Sequence, residues 1–340
     1  KQRVDELRSI IEPQLLRRIK ADVAKDLPCK TIVETCRNLP LSERQRTHYA
    51  HAIAQHRKQS AEGVGLKNHL GLLLYLRRLC ADPQPMGQLS NPSTPLSEIE
   101  SHSPKMKWLM MELDKIKALN DKVILFCELR DVQRLLQREI SERFEFAPAI
   151  INGDTSTSSK SAVSRQKQIR GFQEKPGFGV IILSPLAAGF GLNIQAANHV
   201  IHFTRTWNPA KEDQATDRAY RIGQSKEVFV YCPLVVAEDF TTFDAKLNAL
   251  LEWKRGLSGD MLNGVGDLSG NDFGDLQEPG GAAAFDDVPI TAADLASMAP
   301  DTFEAFCAVL WSKQGYKTYL TPATGDGGVD VGRLKARLGC

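Results

Sequence analysis

Between residues 103 and 235, short runs of apolar and β-branched residues alternate with amphipathic segments. The apolar runs are KVILFC at 122–127, APAIIN at 147–152, GVIILS at 179–184, HVIHFT at 199–204 and EVFVYC at 227–232. The segments DVQRLLQREISERF and SAVSRQKQIRGF, which lie between these runs, carry apolar residues at helical spacing. Continuous apolar strands joined by helices are covered on both faces. The pattern therefore predicts an α/β fold with a parallel sheet, within a domain spanning residues 103–255.

The region before this sheet, residues 1–102, is expected to be mostly helical. VDELRSIIEPQLLRRIKADV has helical spacing interrupted at Pro13, and Ser42 can cap a helix that begins in LSERQRTHY. LGLLLYLRRLC supplies a further apolar stripe, and the breaker-rich stretch ADPQPMGQLSNPSTP indicates a boundary.

The region after the sheet changes in composition. Residues 256–289 contain eight glycines with little apolar periodicity, which predicts a flexible linker. A small α/β unit is expected over 290–340, with a helix in TFEAFCAVLWSKQGY and a glycine-rich turn at GDGGVD.

Charge is distributed unevenly along the chain. Residues 1–255 carry 38 Lys and Arg against 29 Asp and Glu, whereas residues 256–312 carry ten acids and no Lys or Arg. A basic portion suits a phosphate-backbone partner, although solvated helix faces explain the charge equally well. The scattered cysteines, the absence of a signal-like segment and the shortness of the apolar runs favour a cytoplasmic protein without a membrane partner.

Three polar residues stand at helical spacing after Pro209. Gln214, Arg218 and Arg221 fall at i, i+4 and i+7, which predicts that they share one helix face. Guanidinium groups match phosphate oxygens in a bidentate geometry and stay charged near neutral pH. Spacing alone leaves a second interpretation open, in which these arginines pair with Asp213 and Asp217 on a solvated helix.

The surrounding sequence motifs favour the interpretation in which the arginines contact phosphate. WNPAKEDQATDRAYRIGQ resembles the sixth helicase motif of the Swi/Snf family of superfamily-two DNA translocases, whose pattern is close to WNPxxDxQAxDRxxRIGQ. EPQLLRRIKADVAKDLPCKTIVETCRNLPLSERQRTHY resembles the segment that closes the first motor lobe of the family. LLYLRRLCADP is similar to its LRxxCxHP stretch, with Asp82 where His is usual. KVILFCELRDVQRLL, INGDTS and ILSPLAAGFGLNIQAANHVIHFTRTWNP continue the agreement in order through a RecA-like second lobe.

The resemblance implies roles for particular residues. Arg218 and Arg221 match arginine fingers that reach the γ-phosphate of ATP and stabilise the transferring phosphoryl group. Gln214 matches a glutamine at the lobe interface, and Ser184 matches a position near the DNA backbone. Three residues match the loop that links the nucleotide site to the DNA: Gly189, Gly191 and Asn193. Pro185 and Phe190 depart from the residues usual in that loop.

The resemblance also implies cofactors and partners. No GxxxxGK[ST] and no DExH-like quartet occurs in the sequence, so the family's phosphate cradle and Mg²⁺ ligands are expected in a first RecA-like lobe that precedes Lys1. The partners implied are that lobe and double-stranded DNA, the cofactors are ATP and Mg²⁺, and this chain by itself is expected not to hydrolyse ATP.

The last segment resembles a different family. ITAADLASMAPDTFEAFCAVLWSKQGYKTYLTPATGDGGVDV is similar to the start of the Mrr-like restriction endonucleases of the PD-(D/E)xK class. Asp330 matches the acidic metal ligand and Glu304 the acid on the preceding helix, both of which would serve Mg²⁺. VGRLKARLGC is expected to lack the strand that carries the family's QxK, so the nuclease is expected to be truncated and inactive.

Two other functions are compatible with the α/β pattern. A regulatory lobe could bind DNA or protein without catalysis. A nucleotide-dependent oxidoreductase would need a dinucleotide fingerprint, and the GFG of residues 189–191 lacks its third glycine. The pairing of a motor with a nuclease suggests DNA restriction, defence or repair.

Overall fold

The structure is a computed structural model that describes residues 27–61, 67–83, 95–155, 164–188, 193–260, 268, 270–273, 316–320 and 331–335. The chain divides into two compact units, residues 1–283 and residues 284–340. No helix among these described ranges is both long enough and apolar enough to cross a bilayer.

A six-stranded parallel sheet forms the centre of the first unit. Its strands are β1 (Lys30–Val33), β3 (Lys122–Phe126), β4 (Ala149–Ile151), β5 (Gly179–Leu183), β6 (His199–His202) and β7 (Val228–Tyr231). They lie side by side in the order β1-β7-β6-β3-β5-β4, and every neighbouring pair is parallel. The central strands β3, β5 and β6 are buried along their whole length. The predicted parallel sheet and its five strands are confirmed.

One strand of this sheet comes from the region expected to be mostly helical. β1 pairs with β7 at the edge of the sheet, from Lys30 against Val228 to Val33 against Tyr231. A second short strand, β2 (Leu39–Pro40), pairs in parallel with β8 (Val235–Val236). The described part of this region is mostly helical, as expected, but these two strands were not predicted, because both are stabilised by partners almost 200 residues further along the chain.

Helices cover both faces of the sheet. They are α3 (Leu96–His102), α4 (Pro104–Ala118), α5 (Arg130–Phe144), α6 (Arg165–Glu174), α7 (Pro185–Ala188) and α8 (Pro209–Thr216). α4 and α5 pack their apolar residues on one face, against Val123, Leu125 and Ile182. Ile169 of α6 and Ala215 of α8 pack on the opposite face.

A separate core joins the N-terminal helices to the end of this unit. α1 (Glu43–Ala61), α2 (Lys67–Ala81) and α9 (Phe243–Asp260) contribute buried residues to one apolar cluster, which also includes Leu268 and Phe273. The Ser42 hydroxyl accepts a hydrogen bond from the Gln45 backbone N–H at 3.2 Å, as the sequence predicts for a cap of α1. This cluster spans the domain boundary expected at residue 102.

In the second unit, β9 (Tyr316–Leu320) and β10 (Val331–Lys335) form an antiparallel pair. VGRLKARLGC was expected to lack the strand that carries the family's QxK; β10 is a strand in this segment, and its sequence VGRLK contains no QxK. The Tyr and Thr residues of YKTYL are of types that favour strands, whereas VGRLK carries a weaker local signal and its partner is distant in sequence.

Candidate functional site: the carboxyl edge of the sheet and the arginine turn

The strand order identifies a crevice at the carboxyl edge of the sheet. From β3 the chain continues towards β5 and β4, and from β6 it continues towards β7 on the other side. β3 and β6 are neighbours, so the two directions diverge between them. In open α/β sheets, ligands bind at such a point, outside the carboxyl ends of the strands.

Side chains of the protein itself occupy this crevice. Arg77 of α2 donates from Nη2 to the Glu128 carboxylate beyond β3 at 2.5 Å, and to the Arg205 carbonyl beyond β6 at 2.6 Å. Lys105 of α4 donates to the Phe203 carbonyl at 3.2 Å and pairs with Asp244 of α9 at 2.6 Å. Both cations are buried. At this point of the edge, these contacts join α2, α4 and α9 to the sheet.

The segment that carries Gln214, Arg218 and Arg221 is not one continuous helix, as the sequence had predicted it to be. α8 ends at Thr216, so Arg218 lies in a turn and Arg221 in a bend. The backbone N–H of Arg218 donates to the Ala215 carbonyl at 3.1 Å, and that of Ala219 donates to the Thr216 carbonyl at 3.1 Å. These i to i+3 bonds tighten the chain out of the α-helix. The prediction that all three residues share one helix face is wrong.

The three side chains also differ in their surroundings. Gln214 and Arg221 are exposed, whereas Arg218 is only 8% exposed. Burial and the positive charge of Arg221 lower the pKa of Arg218, and Asp217 opposes the shift. Two guanidinium groups whose charges oppose each other are chemically suited to an anionic ligand.

A clamp of hydrogen bonds fixes residues 217–224, which we call the arginine turn. The backbone N–H of Ile194 donates to the Arg218 carbonyl at 3.0 Å. The Gln224 side chain is buried, and its Nε2 donates to three carbonyls, those of Gln195 (3.1 Å), Ala197 (2.9 Å) and Ala219 (3.2 Å). The arginine turn is thereby fastened to residues 194–197, directly after the predicted coupling loop.

Gly223 closes the arginine turn in a backbone conformation with φ +98°. A Cβ at this position would lie 2.6 Å from Nε2 of Gln195, whose amide donates to the Ile222 carbonyl. Both the left-handed φ and the close approach favour glycine here.

The remaining predicted residues fall into two groups. Ser184 follows β5 at the carboxyl edge and is half-buried, with its N–H donating to the Ile151 carbonyl at 2.9 Å, and Asn193 is exposed beside Ile194. Four residues lie outside the described residues: Gly189, Gly191, Glu304 and Asp330. Asn193 therefore directly precedes Ile194, the first residue of the segment that binds the arginine turn.

A buried ionic cluster lies beneath α8. Arg205, at the carboxyl end of β6, donates to Glu212 from Nη2 at 2.6 Å and from Nε at 3.1 Å, and it also donates to Asn248 of α9. Arg255 of α9 pairs with Glu212 at 2.8 Å and with Asp213 at 2.9 Å. Burial alone would raise the pKa of Glu212, but Arg205, His202 and Arg255 together outweigh burial and hold this pKa well below its ordinary value.

Sequence reasoning missed this cluster and the role of Gln224. Gln224 ends the run RIGQ, so its place in the motif was the available signal. For Arg255 no local signal was available, because Glu212 and Asp213 lie 43 and 42 residues away. Asp213, considered as a partner of the turn's arginines, pairs with Arg255. The residues described by the structure include no group of three His, Cys, Asp or Glu that could hold a metal ion.

Family models match three parts of the sequence. Residues 1–85 match the SNF2-related domain, residues 104–223 match the helicase conserved C-terminal domain, and residues 295–339 match a restriction endonuclease family. The chain carries SNF2-related and helicase C-terminal domains. The resemblance inferred from the motifs is confirmed, including that of the last segment.

Several proteins are similar to this chain over most of its length. It is 52% identical over 277 residues to the Zorya protein ZorD of Escherichia coli O139:H28, and 32% identical over 282 residues to the putative ATP-dependent helicase/translocase YwqA of Bacillus subtilis. These alignments cover 80% and 81% of the chain but 25% and 29% of the relatives. The chain thus spans about a quarter of the length of these curated relatives.

Solved structures show the same fold. The Sulfolobus solfataricus SWI2/SNF2 ATPase core in complex with dsDNA is 30% identical, with a TM-score of 0.52, and the match covers 76% of this chain and 52% of that one. The C-terminal part of the Fun30 ATPase domain, at 21% identity and a TM-score of 0.52, supports the fold alone over 71% of this chain and 95% of that one.

Proposed function

We propose that this chain is the C-terminal part of an ATP-driven double-stranded DNA translocase, in which the arginine turn completes an ATP site. The observation that carries the proposal is the turn itself. Arg218 is buried and held by backbone bonds on both sides, while Arg221 and Gln214 face outwards next to it. A preorganised pair of cations stabilises charge without reorganising during the reaction.

Arg221 and Arg218 would bind the γ-phosphate and stabilise the charge that develops on it during transfer. Mg²⁺-ATP supplies the phosphoryl group, and the sequence contains no P-loop to hold it. We therefore place the phosphate cradle in a first RecA-like lobe and expect no ATP hydrolysis by the 340-residue chain alone. The proposed role of Gln214 is contact with that lobe, which its exposure permits.

DNA is the proposed track. Ser184, half-buried directly after β5, and Asn193, exposed in the predicted coupling loop, are the residues proposed to contact the phosphate backbone. Contacts to phosphates carry no sequence information, so the binding is expected to be independent of sequence and to weaken steeply with salt. The solved structure of a similar ATPase core in complex with dsDNA supports this choice of partner. With the restriction endonuclease match at 295–339, we propose a role in DNA restriction, defence or repair.

The test is ATP turnover of the longer protein that carries both lobes. Arg218→Ala is expected to lower DNA-stimulated turnover about 1,000-fold or more, the scale of an arginine finger, with DNA affinity nearly unchanged. Arg170→Ala is the control, because Arg170 lies outside the arginine turn, is 78% exposed on α6 and pairs with Glu174 four residues away. Undiminished turnover in Arg218→Ala would reject the finger role and favour a regulatory lobe that binds DNA or protein without catalysis.

A further inference from the structure

Glu212 is a buried carboxylate that receives two guanidinium groups from different elements. Arg205 approaches it from the carboxyl end of β6, and Arg255 approaches it from α9. Arg205 and Glu212 are 4% and 2% exposed, and Asn248 of α9 accepts a further hydrogen bond from Arg205. The carboxylate is therefore the point at which α8 is fastened both to the sheet and to α9.

The two arginines hold α8 in different ways. Arg205 uses two of its nitrogens on Glu212, which anchors the helix to the sheet. Arg255 pairs with three carboxylates: Glu212 at 2.8 Å, Asp213 at 2.9 Å and Glu252 of its own helix at 2.9 Å. Because Glu212 keeps Arg205 if Arg255 is removed, the loss of Arg255 leaves no unpaired buried charge. What it removes is the direct link of Glu212 and Asp213 to α9, whereas the contact of Arg205 with Asn248 of α9 stays.

The position of α8 determines where the arginine turn begins. Asp213 precedes Gln214 directly, α8 ends at Thr216, and Arg218 follows two residues later. α9 in turn is held firmly elsewhere, since Leu247 and Leu251 lie in the core with α2 and Asp244 pairs with buried Lys105. A rigid α9 that holds α8 through Arg255 can therefore set the position of Arg218.

We propose that Arg255 is a positioning residue for ATP hydrolysis, which fixes the arginine turn by tying Glu212 and Asp213 of α8 to helix α9. This inference rests on the proposed function. It adds that α9, an element outside the motif of the arginines, controls turnover. A misplacement of about 1 Å at a reacting centre costs on the order of 100-fold in rate, so a small shift of α8 is enough to be measured.

The experiment measures steady-state ATP turnover of the longer protein with saturating duplex DNA, for Arg255→Ala, Arg255→Lys and Arg143→Ala. Arg143 is the matched control, because it bridges Asp114 and Glu100 on other helices and its side chain is 32% exposed against 28% for Arg255. Arg255→Ala is expected to lower kcat at least about tenfold with little change in KM for ATP. Arg255→Lys should restore part of it, and Arg143→Ala should match the unsubstituted protein.

Asp213→Asn provides a second arm that does not depend on the folding of Arg255→Ala. It removes one contact of Arg255 at a side chain that is 58% exposed. A severalfold fall in kcat is expected for Asp213→Asn. Adding Asp213→Asn to Arg255→Ala should lower kcat no further than Arg255→Ala does alone, because both substitutions remove the contact between Arg255 and Asp213. Urea unfolding verifies that each variant is folded.

Two results would overturn the inference, and they differ. If Arg218→Ala abolishes turnover while folded Asp213→Asn and Arg255→Ala stay within twofold of the unsubstituted protein, the positioning role is wrong and the proposed function stands. If Arg218→Ala itself retains turnover, the proposed function fails and the positioning role fails with it.

Discussion

At the scale of the residue, His202 shows how the fold controls charge near the proposed site. Its ring stacks on Phe126 at 5.1 Å, and its Nε2 lies 2.8 Å from the Thr216 hydroxyl. Burial lowers the pKa of His202 to about 4 from an ordinary value of 6.5, a shift that Glu212 and Asp213 oppose and Arg205 and Arg255 support. The imidazole is therefore neutral at pH 7.

The lowered pKa predicts how stability depends on pH. Below pH 6.5 the unfolded chain binds a proton at His202 that the folded chain takes up only near pH 4. The contribution of His202 to the free energy of unfolding is therefore fully present above pH 6.5. As the pH falls from 6.5 towards 4, this contribution is lost, by about 3 kcal/mol in total. His199, whose pKa burial also lowers, has the same sign. Glu212 acts in a lower window, below its ordinary pKa of 4.5, because its folded pKa is depressed.

The substitution His202→Gln tests this prediction while keeping an amide that can reach Thr216. Urea unfolding at pH 7 and at pH 5 should show a smaller loss of unfolding free energy in the variant than in the unsubstituted chain. His199 accounts for part of the loss that remains. An equal loss in both proteins would show that His202 titrates normally in the folded state.

At the scale of the element, the arginine turn depends on glycine at position 223. Gly223→Ala places a Cβ 2.6 Å from the Gln195 amide in a left-handed backbone conformation, which costs an L-residue roughly 1–2 kcal/mol. We expect the unfolding free energy to fall by about that amount, and turnover of the longer protein to fall as the turn shifts.

Gly171→Ala serves as the control for that substitution. Gly171 lies within helix α6, and a Cβ there would meet nothing within 4 Å. Alanine is favoured over glycine in a helix by about 1 kcal/mol, so this variant should be slightly more stable, with normal turnover. Equal behaviour of the two alanine variants in unfolding and turnover would contradict the role given to Gly223.

The sequence predicted which strands and helices form more accurately than where they end. Apolar runs identified all five strands from β3 to β7, because burial on both faces leaves a local signal. It placed Arg218 and Arg221 on a helix, because local spacing cannot register the bonds from Ile194 and Gln224 that draw the chain into a turn. β1 was missed for the same reason, since its partner β7 is distant in sequence.

At the scale of the whole molecule, the helices before residue 102 and the helix after residue 243 share a core. Phe243, Leu247 and Leu251 of α9 are buried in one cluster with Leu73 and Leu76 of α2. Fully burying such a side chain contributes about 1.5–3 kcal/mol. The boundary predicted at residue 102 therefore divides the sequence into segments that resemble different domains, but the apolar core continues across it.

This core predicts the behaviour of two fragments. Residues 27–273 should fold as a monomer with a cooperative unfolding transition. Residues 103–255 should bind a hydrophobic dye and aggregate, because the apolar face of α9 loses its cover. Size-exclusion chromatography and urea unfolding compare the two, and a monomeric 103–255 fragment as stable as 27–273 would contradict the shared core.

We propose that the arginine turn couples ATP hydrolysis to movement along duplex DNA. This coupling is tested most directly by the displacement of a third DNA strand from a duplex by the longer protein that carries both lobes. We predict ATP-dependent displacement that Arg218→Ala eliminates and Arg170→Ala preserves, with duplex binding retained in both variants. Displacement by Arg218→Ala at the rate of the unsubstituted protein would contradict the account.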